Sequence, residues 1–289
     1  MGRRALAFAV ALALLAGAAS RPAVGATKKK SSKKKSAPIP AVPRPHDPDE
    51  VTFPSGDGVK LVATWKPVAT APDAPAVLLL HAFSRERREM APLADELRAR
   101  GFATLAPDLR GHGESVWKNG ARIGPSPSLQ GSPNGFPRDV EAACAWLRTR
   151  SPRVAVVGFS LSGDLAALAT AAGWAEAGVS VSANADQLAP LAGPRPTSPR
   201  GLLVLASEKD PGRAASARAL DASGRDPKSM LLYPGSAHAL QLLNGEPAAK
   251  AATFAWLEAR VGPVTPPPAP VATVVPAVTP PPAQDAGPR

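Results

Sequence analysis

The stretch richest in chemistry is V-A-V-V-G-F-S-L-S-G-D-L-A-A, residues 154–167. Ser160 stands where a wholly apolar run gives way to an Ala/Leu-rich stretch. The run is the length of a strand buried on both faces, and the Ala/Leu-rich stretch has helical composition. Gly158, Ser162 and Gly163 are small enough to let strand and helix approach. A serine at such a joint has its hydroxyl pushed out of the strand end, and the amide of Leu161 is left free at the helix N-terminus. A hydroxyl becomes a useful nucleophile only when an imidazole takes its proton. The imidazole in turn needs a carboxylate to fix its tautomer. The four histidines, His46, His81, His112 and His238, lie on separate loops without ligand spacing, so no metal site is expected. Gly111-His112-Gly113 is no phosphate loop, since no Gly-Lys-Ser/Thr comes after it.

These residues need a frame. Val51–Phe53 and Lys60–Trp65 flank the turn-rich Pro54–Gly58 and read as an opening hairpin. Ala76–Leu80, Phe102–Ala106, Val154–Val157, Val179–Val181, Leu202–Ala206 and Met230–Tyr233 read as strands. Between and after them, helices are expected at Met90–Arg100, Asp139–Arg150, Ala214–Leu220 and Pro247–Val261. Solidly apolar strands alternating with helices imply α/β architecture, a mostly parallel sheet covered on both faces. In such a sheet the chemistry sits at the carboxyl ends of strands. His81, Ser160 and Asp210 each come directly after a strand.

Gly158-Phe159-Ser160-Leu161-Ser162 resembles the nucleophile elbow of the α/β-hydrolase superfamily, G-x-S-x-G, with Ser162 in place of the second glycine. Ser162 as the nucleophile would need small residues at 160 and 164, and Asp164 does not fit. The resemblance implies that Asp210, in Ser207-Glu208-Lys209-Asp210, is the acid. Glu208 then points to solvent, and Asp186 is the weaker alternative. It also implies that His238, on the loop after Tyr233, is the catalytic histidine, giving the family's chain order of serine, acid and histidine. His81-Ala82-Phe83 resembles the oxyanion loop, so the amides of Phe83 and Leu161 are expected to face the developing oxyanion, with His81 itself structural. Asp108–Ser115 resembles the superfamily's turn after a central strand, with His112 as a hydrogen-bonding turn residue. By this resemblance the chain is an α/β-hydrolase-type, doubly wound, cap-less serine hydrolase, esterase- or dienelactone-hydrolase-like. It would cleave an ester or related acyl bond of a small-molecule or acyl-polymer substrate, with no cofactor. Between Val181 and Gly201 there is no room for a helical cap, which leaves Ser115–Pro137 as the lid candidate. Ser162→Gly, which restores the family's residue, is expected to keep activity. Two alternatives stand beside this reading: a catalytically silent binding module of the cell envelope, and a peptidase using the same three residues.

The ends of the chain differ from its middle. Residues 1–45 hold ten Lys/Arg and no acid, and residues 263–289 hold one Arg and one Asp. Removing these from the formal +11 leaves +1 for residues 46–262, so the middle is nearly neutral and no nucleic-acid partner is expected. Gly2-Arg3-Arg4 and then the apolar 5–19 read as an export signal within 1–26, cleaved after Ala18 or Ala26; the alternative is an uncleaved anchor. Residues 27–50 read as a Lys/Pro-rich disordered linker that could meet an anionic envelope surface. The domain is assigned to 51–262, and 263–289 to a Pro-rich disordered tail. The chain is accordingly expected to be periplasmic, secreted or envelope-associated. Its single cysteine, Cys144, excludes an internal disulfide and reads as a small core residue.

Overall fold

The computed structural model describes residues 47–124 and 135–262. The expected export signal, most of the linker, the C-terminal tail, His46 and the middle of the lid candidate lie outside the described residues. The chain opens with antiparallel β1 (Glu50–Pro54) and β2 (Val59–Lys66). Then come β3 (Ala76–Leu80), α1 (Ala91–Ala99), β4 (Ala103–Pro107), β5 (Trp117–Lys118) and β6 (Ala121–Arg122). Next are α2 (Gly135–Arg148), β7 (Val154–Phe159), α3 (Leu161–Ala171), β8 (Ala177–Val181) and α4 (Leu188–Ala192). The chain closes with β9 (Arg200–Ser207), α5 (Arg213–Ser223), β10 (Arg225–Tyr233), α6 (Leu240–Gly245) and α7 (Pro247–Val261).

The strands form one sheet in the order β10-β9-β8-β7-β3-β4-β2-β5-β6, with β1 on β2. From β10 through β4 every pairing is parallel, and β2 joins β4 antiparallel. The solid apolar runs are explained by burial on both faces. In β3, Ala76, Leu78 and Leu80 enter one core with Leu147 of α2, Leu165 of α3 and Leu220 of α5. Val77 and Leu79 enter the other with Leu97 of α1, Leu243 of α6 and Leu257 of α7. Each fully buried leucine of this kind contributes about 1.5–3 kcal/mol relative to leaving it exposed. Chain order reverses between β3 and β7, which pair side by side although β4 leaves β3 the other way. The crevice at such a reversal, beyond the carboxyl ends of the strands, is where doubly wound sheets bind ligands.

Three expectations are corrected in detail. Residues 47–50 belong to the fold rather than the linker: Glu50 opens β1, and the Asp47 carboxylate accepts hydrogen bonds from the Thr64 hydroxyl and the Asp49 amide. The second helix begins at Gly135 instead of Asp139, because Pro137 fits a first helical turn, where no amide donor is needed. Of the lid candidate, Trp117–Arg122 is no lid, since it forms a ribbon that extends the sheet beyond β2.

Candidate active site

Ser160 caps α3 directly at the end of β7, with φ 54° and ψ −120°. Side chains rarely adopt this conformation, and surrounding structure must impose it. Gly158 makes it possible: a Cβ there would lie 1.8 Å from the backbone oxygen of Ser162. The Ser160 amide is spent on the Val181 carbonyl of β8 at 2.9 Å. The hydroxyl is left half-exposed at the crevice, and the amide of Leu161 opens a helix whose first N–H groups have no intrahelical acceptor.

The structure brings Ser160, His238 and Asp210 together. His238 Nε2 lies 3.1 Å from Ser160 Oγ, and its Nδ1 lies 2.7 Å from Asp210 Oδ2. With the carboxylate as acceptor, Nδ1 carries the proton and Nε2 is free to accept one from the serine. Asp210 is buried at the end of β9, whereas Glu208 and Asp186 are both exposed.

The loop after β3 is fixed by its histidine. His81 is completely buried, and burial pushes its pKa from 6.5 down to about 4, so the ring is neutral at pH 7. Its Nε2 accepts from the Leu109 amide at 3.0 Å and its Nδ1 donates to the Ala82 carbonyl at 2.7 Å. His112 does similar work from the other side. Its Nε2 accepts from the Ser84 amide at 3.1 Å, and its ring meets Phe83 edge-on with centroids 5.1 Å apart. Both histidines are structural, as expected, and together they hold the loop that carries Phe83.

The 108–115 turn is anchored by two guanidiniums, one buried and one mostly covered. Arg87, 1% exposed, meets Asp108, Glu50 and Glu114 at 2.5–2.6 Å. Arg110 reaches Asp57 at 2.8 Å and Asp139 at 2.7 Å. Desolvation opposes its charge, but the hydrogen bonds to these two carboxylates hold the guanidinium above its ordinary pKa. Cys144 is a buried core residue of α2, its thiol pushed up to about 12 by burial, which makes it inert.

Some features of the site leave only a weak signature in the sequence. Ser162 is fully buried and its hydroxyl donates to the His81 carbonyl at 2.6 Å. Ser182 and Ser207, at the ends of β8 and β9, bond to the backbone on either side of His238. The one available signal was a small polar residue closing an apolar strand, and it does not say which backbone group the hydroxyl meets.

The fold and the strand–serine–helix joint define an α/β hydrolase, and comparison with known proteins agrees. The chain belongs to the alpha/beta hydrolase family, whose model matches residues 77–286. No curated protein matches it. Among solved structures it resembles an esterase from Pyrococcus furiosus, at 17% identity over 74% of this chain and 92% of that one, with a TM-score of 0.58. It also resembles a dienelactone hydrolase from Anabaena variabilis, at 21% identity over 75% and 100% of the two chains, TM-score 0.54. A third likeness is the esterase domain of a Rhodothermus marinus protein, at 22% identity over 74% and 99%, TM-score 0.50. These likenesses are of fold.

Proposed function

We propose that the chain is a serine hydrolase that cleaves an ester or related acyl bond through an acyl-enzyme. The observation that carries this reading is the relay from Ser160 Oγ to His238 Nε2 at 3.1 Å and from His238 Nδ1 to Asp210 Oδ2 at 2.7 Å. His238 takes the Ser160 proton as Oγ attacks the acyl carbon, and Asp210 stabilises the imidazolium. The oxyanion accepts hydrogen bonds from the Leu161 and Phe83 amides, each worth about 10²–10³ in rate. Collapse breaks the acyl–oxygen bond, and His238 returns the proton to the leaving alkoxide. Water then attacks the acyl carbon, again giving its proton to His238, and Ser160 is restored.

A fluorophosphonate probe with mass mapping tests the reading. The expected adduct is on Ser160, and Ser160→Ala should neither label nor turn over short-chain esters. An unlabelled wild-type protein would identify a silent hydrolase fold, and turnover of peptides but not esters would favour a peptidase. We further propose that the basic and apolar N-terminal segment exports the chain, which N-terminal sequencing of the protein from fractionated cells checks.

A further inference from the structure

His238 sits on the loop between β10 and α6, and buried hydroxyls grip the backbone on both sides of it. The Ala237 carbonyl accepts from Ser207 Oγ at 2.7 Å. The Ala239 amide donates to Ser182 Oγ at 3.0 Å. The two serines close the neighbouring strands β9 and β8, and neither has any exposed surface. Ser207 serves the acid as well, since its carbonyl accepts from the Asp210 amide at 3.3 Å.

The loop needs such holds. Ala239 has φ 53° and ψ −124°, nearly the conformation of Ser160, which an alanine does not adopt unaided. Ser182, itself at φ 53°, is tied to the sheet by its amide, which donates to the Leu205 carbonyl at 2.8 Å. The His238 side chain is 38% exposed, so packing encloses the ring only in part. Its place between Ser160 and Asp210 therefore also depends on the backbone that carries it.

We propose that Ser182 and Ser207 are positioning residues for His238, which deepens the serine-hydrolase reading and rests on it. Neither touches the reacting atoms. Each fixes one flank of the histidine, so that the 3.1 Å and 2.7 Å contacts of the ring are met at once. Without either hydroxyl the imidazole can keep one contact only by loosening the other.

The test uses the full chain with Ser182→Gly and Ser207→Ala. Glycine suits φ 53°, so Ser182→Gly removes the hydroxyl without straining the fold, which circular dichroism verifies. The readouts are the second-order rate of fluorophosphonate labelling, its pH profile, and the downfield proton resonance of His238 Nδ1. The labelling rate is expected to fall by about 10²-fold, the loss a misplacement on the order of 1 Å produces. The pH profile should shift and the Nδ1 proton should broaden. A folded Ser182→Gly protein with the wild-type rate, profile and resonance overturns the proposal, whether or not Ser207→Ala folds. Ser160→Ala separates the two layers. If it still labels like wild type, the serine-hydrolase reading has failed. If it is unlabelled while Ser182→Gly is unchanged, only the positioning role is lost.

Discussion

The hydroxyl of Ser162 donates to the carbonyl of His81 across 2.6 Å, joining the first turn of α3 to the loop after β3. One of these segments carries the Leu161 amide and the other the Phe83 amide. The bond therefore sets the spacing of the two donors expected to face an oxyanion. A glycine at position 162 cannot make it.

This reverses the sequence-based expectation for Ser162→Gly. Restoring the family's glycine should lower kcat by about 10- to 100-fold with KM nearly unchanged, because donors placed for the transition state lose their register. The buried His81 carbonyl is left without this partner, at a cost of about 1–3 kcal/mol in stability. Ester kinetics and urea titration of the variant check both figures.

Asp210→Asn should lower kcat by about 10⁴-fold, because the amide favours the wrong imidazole tautomer. Asp186→Asn should leave kcat within about twofold, since Asp186 is exposed and the bond to His238 comes from Asp210. Steady-state kinetics of the pair decides the assignment, and a crippled Asp186→Asn would reverse it.

Gly158→Ala should destabilise the fold by about 3 kcal/mol or more, beyond ordinary overpacking. The new Cβ would fall 1.8 Å from backbone, which cannot swing aside as a side chain can. A fall in Tm, or insoluble expression, is the expected result.

Stability should fall with pH above neutrality. Asp164 is fully buried on α3; its Oδ2 accepts from the Asn184 amide at 3.0 Å, while Oδ1 has no partner among the described residues. Burial pushes its pKa from 3.8 up to about 8. Between those values the folded chain keeps a proton that the unfolded chain releases, so stability drops as pH rises. His81 has the opposite sign. From about 4 to 6.5 the unfolded chain holds the proton, so stability rises with pH. The two slopes oppose each other up to pH 6.5, and above it the Asp164 contribution is no longer offset by His81. It should cost about 2 kcal/mol between pH 6.5 and 8. Urea unfolding at both pH values should show this loss in wild type and a flatter response in Asp164→Asn.

Much of the frame was legible because burial on both faces writes strands as unbroken apolar runs: β3 and β7 were readable within two residues at either end. The ribbon of β5 and β6 was not, since two-residue strands have no period to read. Nor were α4 and α6, of five and six residues, too short to display a face. Ser160 and Asp210 were readable because each lies just past a strand, where a parallel sheet collects its chemistry, and His238 was reached only through the resemblance to the α/β-hydrolase pattern. The serines behind them were not readable. Ser162, Ser182 and Ser207 meet partners 81, 57 and 30 residues away, and no local spacing encodes a hydroxyl's choice of a distant backbone group.

Cys144, the chain's only thiol, gives the molecule its own stopwatch. At 1% exposure on α2, in the core, it meets a solution reagent only in molecules whose packing around it has opened. Each alkylation event is thus a permanent record of one breathing motion. At low reagent concentration the marking rate reports how large the open population is. At high concentration it saturates at the rate of opening itself. The face of the sheet that supports the Ser160 turn can therefore be timed without adding a label to the protein.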